Sequence, residues 1–472
     1  MIDNGNFADM KVLVMGLGLH GGGMESARYL AAKGAEVTVT DLRDEKTLAP
    51  SIEKLKNYPV HYVLGKHEMD DFLNADMVIK NPGVKPDSPY LKAAKKIETD
   101  ISLFLAACPA KILAVTGTKG KSTATSALYH VLKDAVEAGE LAGKAYLGGN
   151  ITRSPLGFLD ELSENDTVAL ELSSFQLGDL RGKGILKPRA VVLTSILRDH
   201  LDRYGTMEVY IADKRVIYAA QDSNDVTVAA DDDWGRSFHR ESRGRPVVYS
   251  KKPLEAGIAG GWVSGLDEPG FARLWEIPGQ KSNSTVEIVP PRLLVPGIHQ
   301  KQNLLAAALA LLDLGLKPDL IRESLGRFPG VEHRMEFFHE SKGIKFYNDS
   351  AATIPEAAAA AIASFEKPPI LVTGGTDKEL DFNTLAQAAA YAKALVLLAG
   401  TGTEKLKTLL DGAGLKYRGP FDSLDAAINA VLEQAAPGDS VVLSPGCTSF
   451  GMFHNEVDRG NKWKEGVKKL TP

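Results

Sequence analysis

Seven consecutive residues, Gly117-Thr118-Lys119-Gly120-Lys121-Ser122-Thr123, bring together two glycines, two lysines and adjacent hydroxyls. Glycines let the backbone turn so that successive N–H groups face one anion. A lysine adds a point charge for the β- and γ-phosphates, and a Ser or Thr hydroxyl is a Mg²⁺ ligand. The full phosphate-loop pattern has a further glycine where this chain has Val115; Gly117 takes that role in a tighter loop. A strand before the run and a helix after it argue against a mere lysine-bearing turn.

A second glycine cluster, Gly16-Leu17-Gly18-Leu19-His20-Gly21-Gly22-Gly23, also follows a strand and opens a helix. Asp41 ends the next strand, about twenty residues on, as in dinucleotide-binding folds. There a diphosphate sits at the helix N-terminus and an acidic side chain meets a ribose. NAD, FAD or any nucleotide diphosphate fits this pattern. Arg43 could serve a phosphate or a base, or stand in solvent. An NAD-dependent oxidoreductase needs only the first cluster, and a simple ATPase only the second. An enzyme that joins a nucleotide-activated substrate to another molecule at the expense of ATP uses both.

The elements that must position these loops alternate. Lys11–Met15, Glu36–Thr40 and Met77–Ile79 read as strands, with a helix over Met24–Lys33 and a ligand-type turn at Asn81-Pro82-Gly83. Lys111–Val115, Val168–Leu172, Ala190–Thr194 and Val226–Ala229 form a second strand series. Ile344–Tyr347, Ile370–Thr373, Leu395–Leu398 and Ser440–Leu443 form a third. The expected fold is α/β in three domains: a Rossmann-like domain over 1–104, a central P-loop-type domain with a parallel sheet over 105–330, and a Rossmann-like α/β domain over 331–472. Within the central domain, Lys251–Pro291 is rich in Gly, Pro and Ser and reads as an antiparallel or irregular insertion.

The 472 residues are length for about three domains. The net charge of −5 and 24% charged residues argue against a generic nucleic-acid or anionic-membrane binder. Glycine, at 45 residues, is about a tenth of the chain against a usual ~7%. Cys108 and Cys447 are too few and too far apart for a disulfide framework or zinc ribbon. The polar N-terminus lacks a signal-peptide pattern, and the most apolar run, Leu304–Leu312, falls short of the ~20 residues of a membrane span. A cytoplasmic monomer is the expectation.

Further motifs follow in order: Gly148-Gly149-Asn150-Ile151, Glu171-Leu172-Ser173-Ser174-Phe175-Gln176, Asp199-His200-Leu201-Asp202-Arg203-Tyr204, Lys214, His333-Arg334, Asn348-Asp349-Ser350, Gly374-Gly375-Thr376-Asp377-Lys378 and Ser444-Pro445-Gly446-Cys447. With the two glycine loops they make the chain closely resemble the Mur ligases, ATP-dependent amide-bond ligases of peptidoglycan precursor synthesis. The Glu-Leu-Ser-Ser-Phe-Gln run and the Gly-Leu-Gly-Leu start resemble the branch that adds glutamate to UDP-N-acetylmuramoyl-L-alanine through an acyl phosphate.

The resemblance implies the residue roles. Gly18, Leu19, His20, Asp41, Arg43, Asn81, Pro82, Gly83, Asn150 and Ser173 would hold the UDP substrate. Most relatives have a small hydroxyl residue where His20 stands. Gly117 through Thr123, His299, Asn303, Arg334 and Asp349 would bind ATP. Lys121, Glu171, His200, Lys214 and Arg334 would be catalytic. Ser122, Glu171, His200 and a carbamylated Lys214 would hold Mg²⁺, two ions in all. Read alone, Lys214 is a solvated lysine on a helix.

Thr353, Lys378, Ser449 and Phe450 would take the incoming glutamate. Two positions depart from the pattern: Ala351, where many relatives carry lysine, and Glu456, where many carry an aromatic residue. Arg459 or Lys462 could offset Glu456. D-glutamate is the expected incoming amino acid because that branch is the commoner; L-glutamate is the alternative.

Overall fold

The computed structural model describes residues 7–19, 21–85, 87–151, 153–281 and 284–471. The architecture is three-domain α/β, built on three sheets. The first has strands β1 (Lys11–Met15), β2 (Glu36–Asp41), β3 (Val60–Leu64), β4 (Met77–Lys80) and β5 (Ile97–Glu98), all parallel in the order β3-β2-β1-β4-β5. The order reverses between β1 and β4, so the crevice at their C-terminal ends is where an open parallel sheet takes a ligand. Helix α1 (Gly22–Ala32) starts from Gly21, whose φ of 97° suits glycine.

The second sheet has nine strands: β6 (Lys111–Thr116), β7 (Ala145–Gly149), β8 (Thr167–Glu171), β9 (Ala190–Leu193), β10 (Val226–Ala230), β11 (Arg245–Ser250), β12 (Gly260–Trp262), β13 (Gly270–Arg273) and β14 (Val286–Val289), ordered β14-β13-β12-β11-β10-β9-β6-β8-β7. The strands from β7 to β12 pair in parallel, and β13 and β14 continue antiparallel. The expected parallel central sheet is therefore mixed, and its antiparallel edge lies in the Lys251–Pro291 insertion. Helices α2 (Lys121–Glu137), α3 (Ser174–Asp179) and α4 (Met207–Lys214) accompany it.

The third sheet has β15 (Glu336–Ser341), β16 (Ile344–Asn348), β17 (Ile370–Thr373), β18 (Ala394–Leu398), β19 (Arg418–Phe421) and β20 (Ser440–Leu443), ordered β15-β16-β20-β17-β18-β19. Only β15 runs antiparallel to its neighbour. Before it lies helix α5 (Ile298–Asp313), and after it α6 (Glu456–Leu470).

By compactness the chain divides into two units. One holds Met1–Ser264, Gly270–Val289 and Asn303–Ser324; the other holds Gly265–Pro269, Pro290–Gln302 and Leu325–Pro472. In the first unit one apolar core runs from Val12, Val14 and Leu30 through Phe104 and Phe158 to Val168, Leu170 and Val191, and a separate cluster of Leu13, Met15, Phe72 and Val78 packs on the other face of the first sheet. The two sheets are thus packed through shared side chains rather than hung on a linker. In the second unit Leu371, Leu397 and Val442 face one layer of helices, while Val372, Val396 and Leu443 face the other, where Trp463 of α6 packs among them. Alternation along each strand explains both cores: successive side chains point to opposite faces.

Candidate active site

In the first unit, the phosphate-type loop leaves β6 at Gly117. A Cβ there would lie 1.9 Å from the Thr194 hydroxyl, so only glycine permits this path. The Thr118 N–H donates to Ser195 O at 2.8 Å, and its hydroxyl is 3.0 Å from that of Tyr210. Gly120 (φ +88°) opens α2 and packs on Asn303, whose side-chain atoms would stand 2.4–2.7 Å from an added Cβ. Lys119 pairs with Asp199 at 3.2 Å.

Two lysines converge on one carbonyl of this loop. Lys121 Nζ donates to Gly117 O at 3.2 Å and Thr118 O at 3.0 Å. Lys214 Nζ donates to the same Gly117 O at 2.7 Å and stands 4.6 Å from the centre of the Tyr210 ring. Lys214 is only 1% exposed, which corrects the solvated-helix reading. The reason is tertiary: α4 carries it beneath the loop at Gly117, far away in sequence. Burial, then the neighbouring charge of Lys121, lower its pKa from the ordinary 10.5 to about 7.

Glu171 ends β8 and is also 1% exposed. Asn150 binds it twice: its Nδ2 donates to Oε1 at 3.0 Å, and its backbone N–H donates to Glu171 O at 2.8 Å. The preceding Gly149 passes so close that a Cβ would meet Glu171 O at 2.1 Å. Ser173 caps α3, receiving the Gln176 N–H. His200 has φ 54° and is exposed; its ring lies 5.1 Å from Phe175 and 6.3 Å from Tyr210. Arg203 covers Phe175 at 3.8 Å.

At the first sheet, Asp41 is buried and bonded. It accepts from Arg43 Nη2 at 2.9 Å and Nε at 3.0 Å, from Arg43 N at 3.0 Å and from Gly18 N at 3.3 Å. Burial pushes its pKa up, but these bonds outweigh it and hold it below the usual carboxylate range. Asp41 therefore braces the glycine loop. Leu19 and Leu42 are exposed beside it. Asn81 lies against Gly16, and its side chain receives Gly83 N at 3.0 Å, closing the Asn81-Pro82-Gly83 turn. His20 lies outside the described residues.

In the second unit, Asp349 is buried at the end of β16. Ser444 Oγ donates to it at 2.6 Å and Met335 N at 3.1 Å, yet burial raises its pKa to about 6. Arg334 beside it is exposed. Ser449 is buried, Thr353 half-buried, and Lys378 and Phe450 are exposed on the loops after β16, β17 and β20. Arg459, 1% exposed, donates to Ser350 Oγ at 3.0 Å, Ser350 O at 2.8 Å and Cys447 O at 3.1 Å. Lys462 pairs with Asp458 at 2.9 Å. Arg459 spends its hydrogen bonds on Ser350 and Cys447 but still feels the charge of Glu456, whereas Lys462 pairs with Asp458. His299 and Asn303 share α5 one turn apart but fall in different compact units.

The chain matches the Mur ligase MurD-like N-terminal domain over residues 10–102, the Mur ligase middle domain over 115–311 and the Mur ligase glutamate ligase domain over 333–447. It is 41% identical to the UDP-N-acetylmuramoylalanine–D-glutamate ligase of Roseiflexus sp. (strain RS-1), covering 98% of this chain and 99% of that protein. The enzyme of the same name from Treponema pallidum (strain Nichols) is 38% identical, with 97% of each covered. The chain belongs to the Mur ligase family. Among solved structures, the UDP-N-acetylmuramate–alanine ligase of Thermotoga maritima shares the fold, with a TM-score of 0.58, 21% identity, and 98% of this chain and 100% of that one covered.

Mur ligases are ATP-dependent, ADP-forming amide-bond ligases of peptidoglycan precursor synthesis, and they use Mg²⁺. The donor chemistry around the loop fits a hard cation: Glu171 offers a desolvated carboxylate and Ser122 a hydroxyl at the start of α2. Among the described residues no three His, Cys, Asp or Glu side chains converge as a metal cluster. No helix among them is long and apolar enough to cross a membrane. Sequence reasoning missed the burial of Lys80 and Asp100; the one visible signal was a lysine closing the apolar run of β4.

Proposed function

We propose that this Mur ligase adds D-glutamate to UDP-N-acetylmuramoyl-L-alanine. The observation that carries the reading is the loop at Gly117, where Lys121 and Lys214 meet one carbonyl beside the buried Glu171. Such a site is built for phosphoryl transfer between anions. The names of full-length relatives at 37–41% identity support the acceptor and the amino acid.

In the first half-reaction, an oxygen of the alanine carboxylate attacks the γ-phosphorus. The bond to the β-phosphate oxygen breaks, and ADP leaves. Backbone N–H groups of Lys119, Gly120 and the first turn of α2 hold the phosphates, while that of Thr118 ties the loop to Ser195, and Lys121 supplies charge where it accumulates. Ser122, Glu171, His200 and a carbamylated Lys214 would hold two Mg²⁺ ions, which would supply neutralising charge for the phosphoryl group. An amine with a pKa of about 7 is about half uncharged at pH 7, and the uncharged form is the one that attacks CO₂ and releases a proton to give the carbamate.

In the second half-reaction, the glutamate nitrogen attacks the acyl carbon and loses a proton, and phosphate leaves with the C–O electron pair. Lys378 is suited to a substrate carboxylate, with Thr353, Ser449 and Phe450 on neighbouring loops. Arg334 and Asp349 serve ATP from the third domain, with His299 and Asn303. Gly18, Leu19, Asp41, Arg43, the Asn81-Pro82-Gly83 turn, Asn150 and Ser173 hold the nucleotide sugar. The tasks follow chain order over 1–104, 105–330 and 331–472. A cytoplasmic monomer is part of this reading.

The test is phosphate release from ATP and Mg²⁺ with UDP-N-acetylmuramoyl-L-alanine and either D- or L-glutamate. Release that needs the acceptor and D-glutamate is expected. A preference for L-glutamate overturns the amino-acid assignment. Release without the acceptor overturns the ligase reading.

A further inference from the structure

Lys80 is the last residue of β4 and only 3% exposed. Its Nζ donates to Asp179 Oδ2 at 2.6 Å. The two belong to different sheets' territory within one compact unit. Lys80 immediately precedes the Asn81-Pro82-Gly83 turn, at the crevice where the first sheet's order reverses, while Asp179 ends α3. That same helix is capped by Ser173, two residues after Glu171, and begins at Ser174.

From Asp179 the packing leads further. Gly178 presses on Asp213: a Cβ at Gly178 would stand 2.5–3.0 Å from the Asp213 carboxylate. Arg181 pairs with the same carboxylate. Asp213 directly precedes Lys214 on α4. A buried ion pair is costly to break from one side, because a desolvated charge is left behind, yet replacing both partners with apolar side chains is often neutral for stability. Its presence at this position is therefore better explained by geometry than by net stability.

We propose that the Lys80–Asp179 ion pair is a strut that registers the turn at Asn81-Pro82-Gly83 against α3 and α4, so that Lys80 and Asp179 are positioning residues for the nucleotide diphosphate of the acceptor. Neither side chain touches substrate in this account. Lys80 holds the turn through the end of β4, and Asp179 anchors it to α3, which follows the strand of Glu171 and packs on α4, the helix of Lys214. This inference rests on the functional reading above for the identity of the diphosphate.

The test uses the full chain and UDP as probe, measured by titration calorimetry, beside steady-state phosphate release. The variants are Lys80→Met, Asp179→Asn and the apolar pair Lys80→Met/Asp179→Leu. Lys80→Met is expected to melt earlier than wild type. The apolar pair is expected to recover most of that loss, yet to bind UDP at least tenfold more weakly and to show the same rise in acceptor KM. The KM for ATP should stay within twofold. A fold-only role predicts that UDP affinity returns with thermal stability, and that result overturns the proposal.

Asp179→Asn separates a strut from a direct contact. Weaker UDP binding supports the strut, whereas tighter binding means that freed Lys80 meets the phosphate itself and overturns it. Should wild-type enzyme release no phosphate with the proposed substrates, the functional reading falls. UDP affinity in the same variants would still decide the strut.

Discussion

Lys214 is a cation placed where a cation is least welcome, beneath a loop that already holds Lys121. Its pKa of about 7, against 10.5 in an exposed chain, has a definite sign for stability. Between these values the unfolded chain binds a proton that the folded chain releases, so stability rises with pH. In CO₂-free buffer, denaturant unfolding should show a slope approaching about 1.4 kcal/mol per pH unit from pH 7 towards 10. Lys214→Met should lose that slope and be the more stable protein at pH 7. In activity the order reverses: Lys214→Ala should lose most turnover and regain part with a short carboxylate, and wild-type rates in that variant would remove Lys214 from the site. Asp349 poses the mirror case. Burial raises it to about 6, so the stability it lends its protonated form is present below about pH 3.8 and lost as pH rises through 6. Asp349→Asn should therefore raise the melting temperature at pH 7.5 while raising the KM for ATP about tenfold. A fall in both would mean that the carboxylate charge stabilises the fold.

At the scale of elements, what could be read in advance was whatever a local pattern decides. β1, β17 and β20 begin and end where the apolar runs Lys11–Met15, Ile370–Thr373 and Ser440–Leu443 do, because a strand buried on both faces reads as a continuous apolar stretch. β7 went unseen, since Ala145–Gly149 carries two glycines and little apolar signal; it is a strand because β8 offers it an edge. β5 is two residues long, and β11, of mixed polarity, exists by pairing with β10. The site divides the same way. Glycine loops are local and were legible, whereas the burial of Lys214 and Lys80 depends on partners distant in sequence. The loops also give the sharpest test of an element. Gly117→Ala forces a Cβ to within 1.9 Å of the Thr194 hydroxyl, so the β6–α2 loop must move. ATP-dependent phosphate release should drop at least about a hundredfold, with UDP affinity unchanged. Parallel loss of UDP affinity would show that the substitution unfolds the first unit rather than displacing one loop.

For the whole molecule, the decisive fact is unequal sharing of cores. The first and second sheets share one apolar cluster that runs from Val12 to Val191, while the third sheet has its own two layers. Side chains that pack together lose their contacts together, so cooperative unfolding should follow the cores rather than the count of sheets. Three functional domains should then melt as two units. Calorimetry is expected to resolve two transitions. UDP belongs to the first sheet in the proposed function and should stabilise one of them, by about 2.7 kcal/mol at a hundred times its Kd, leaving the other in place. The transition that moves should also carry the cost of Lys80→Met, because Lys80 and Asp179 lie within that unit. Three transitions would mean that the shared core does not couple the first two sheets. A single transition moved by UDP would mean that the third sheet unfolds with them, and either result would require a different account of how the chain is held together.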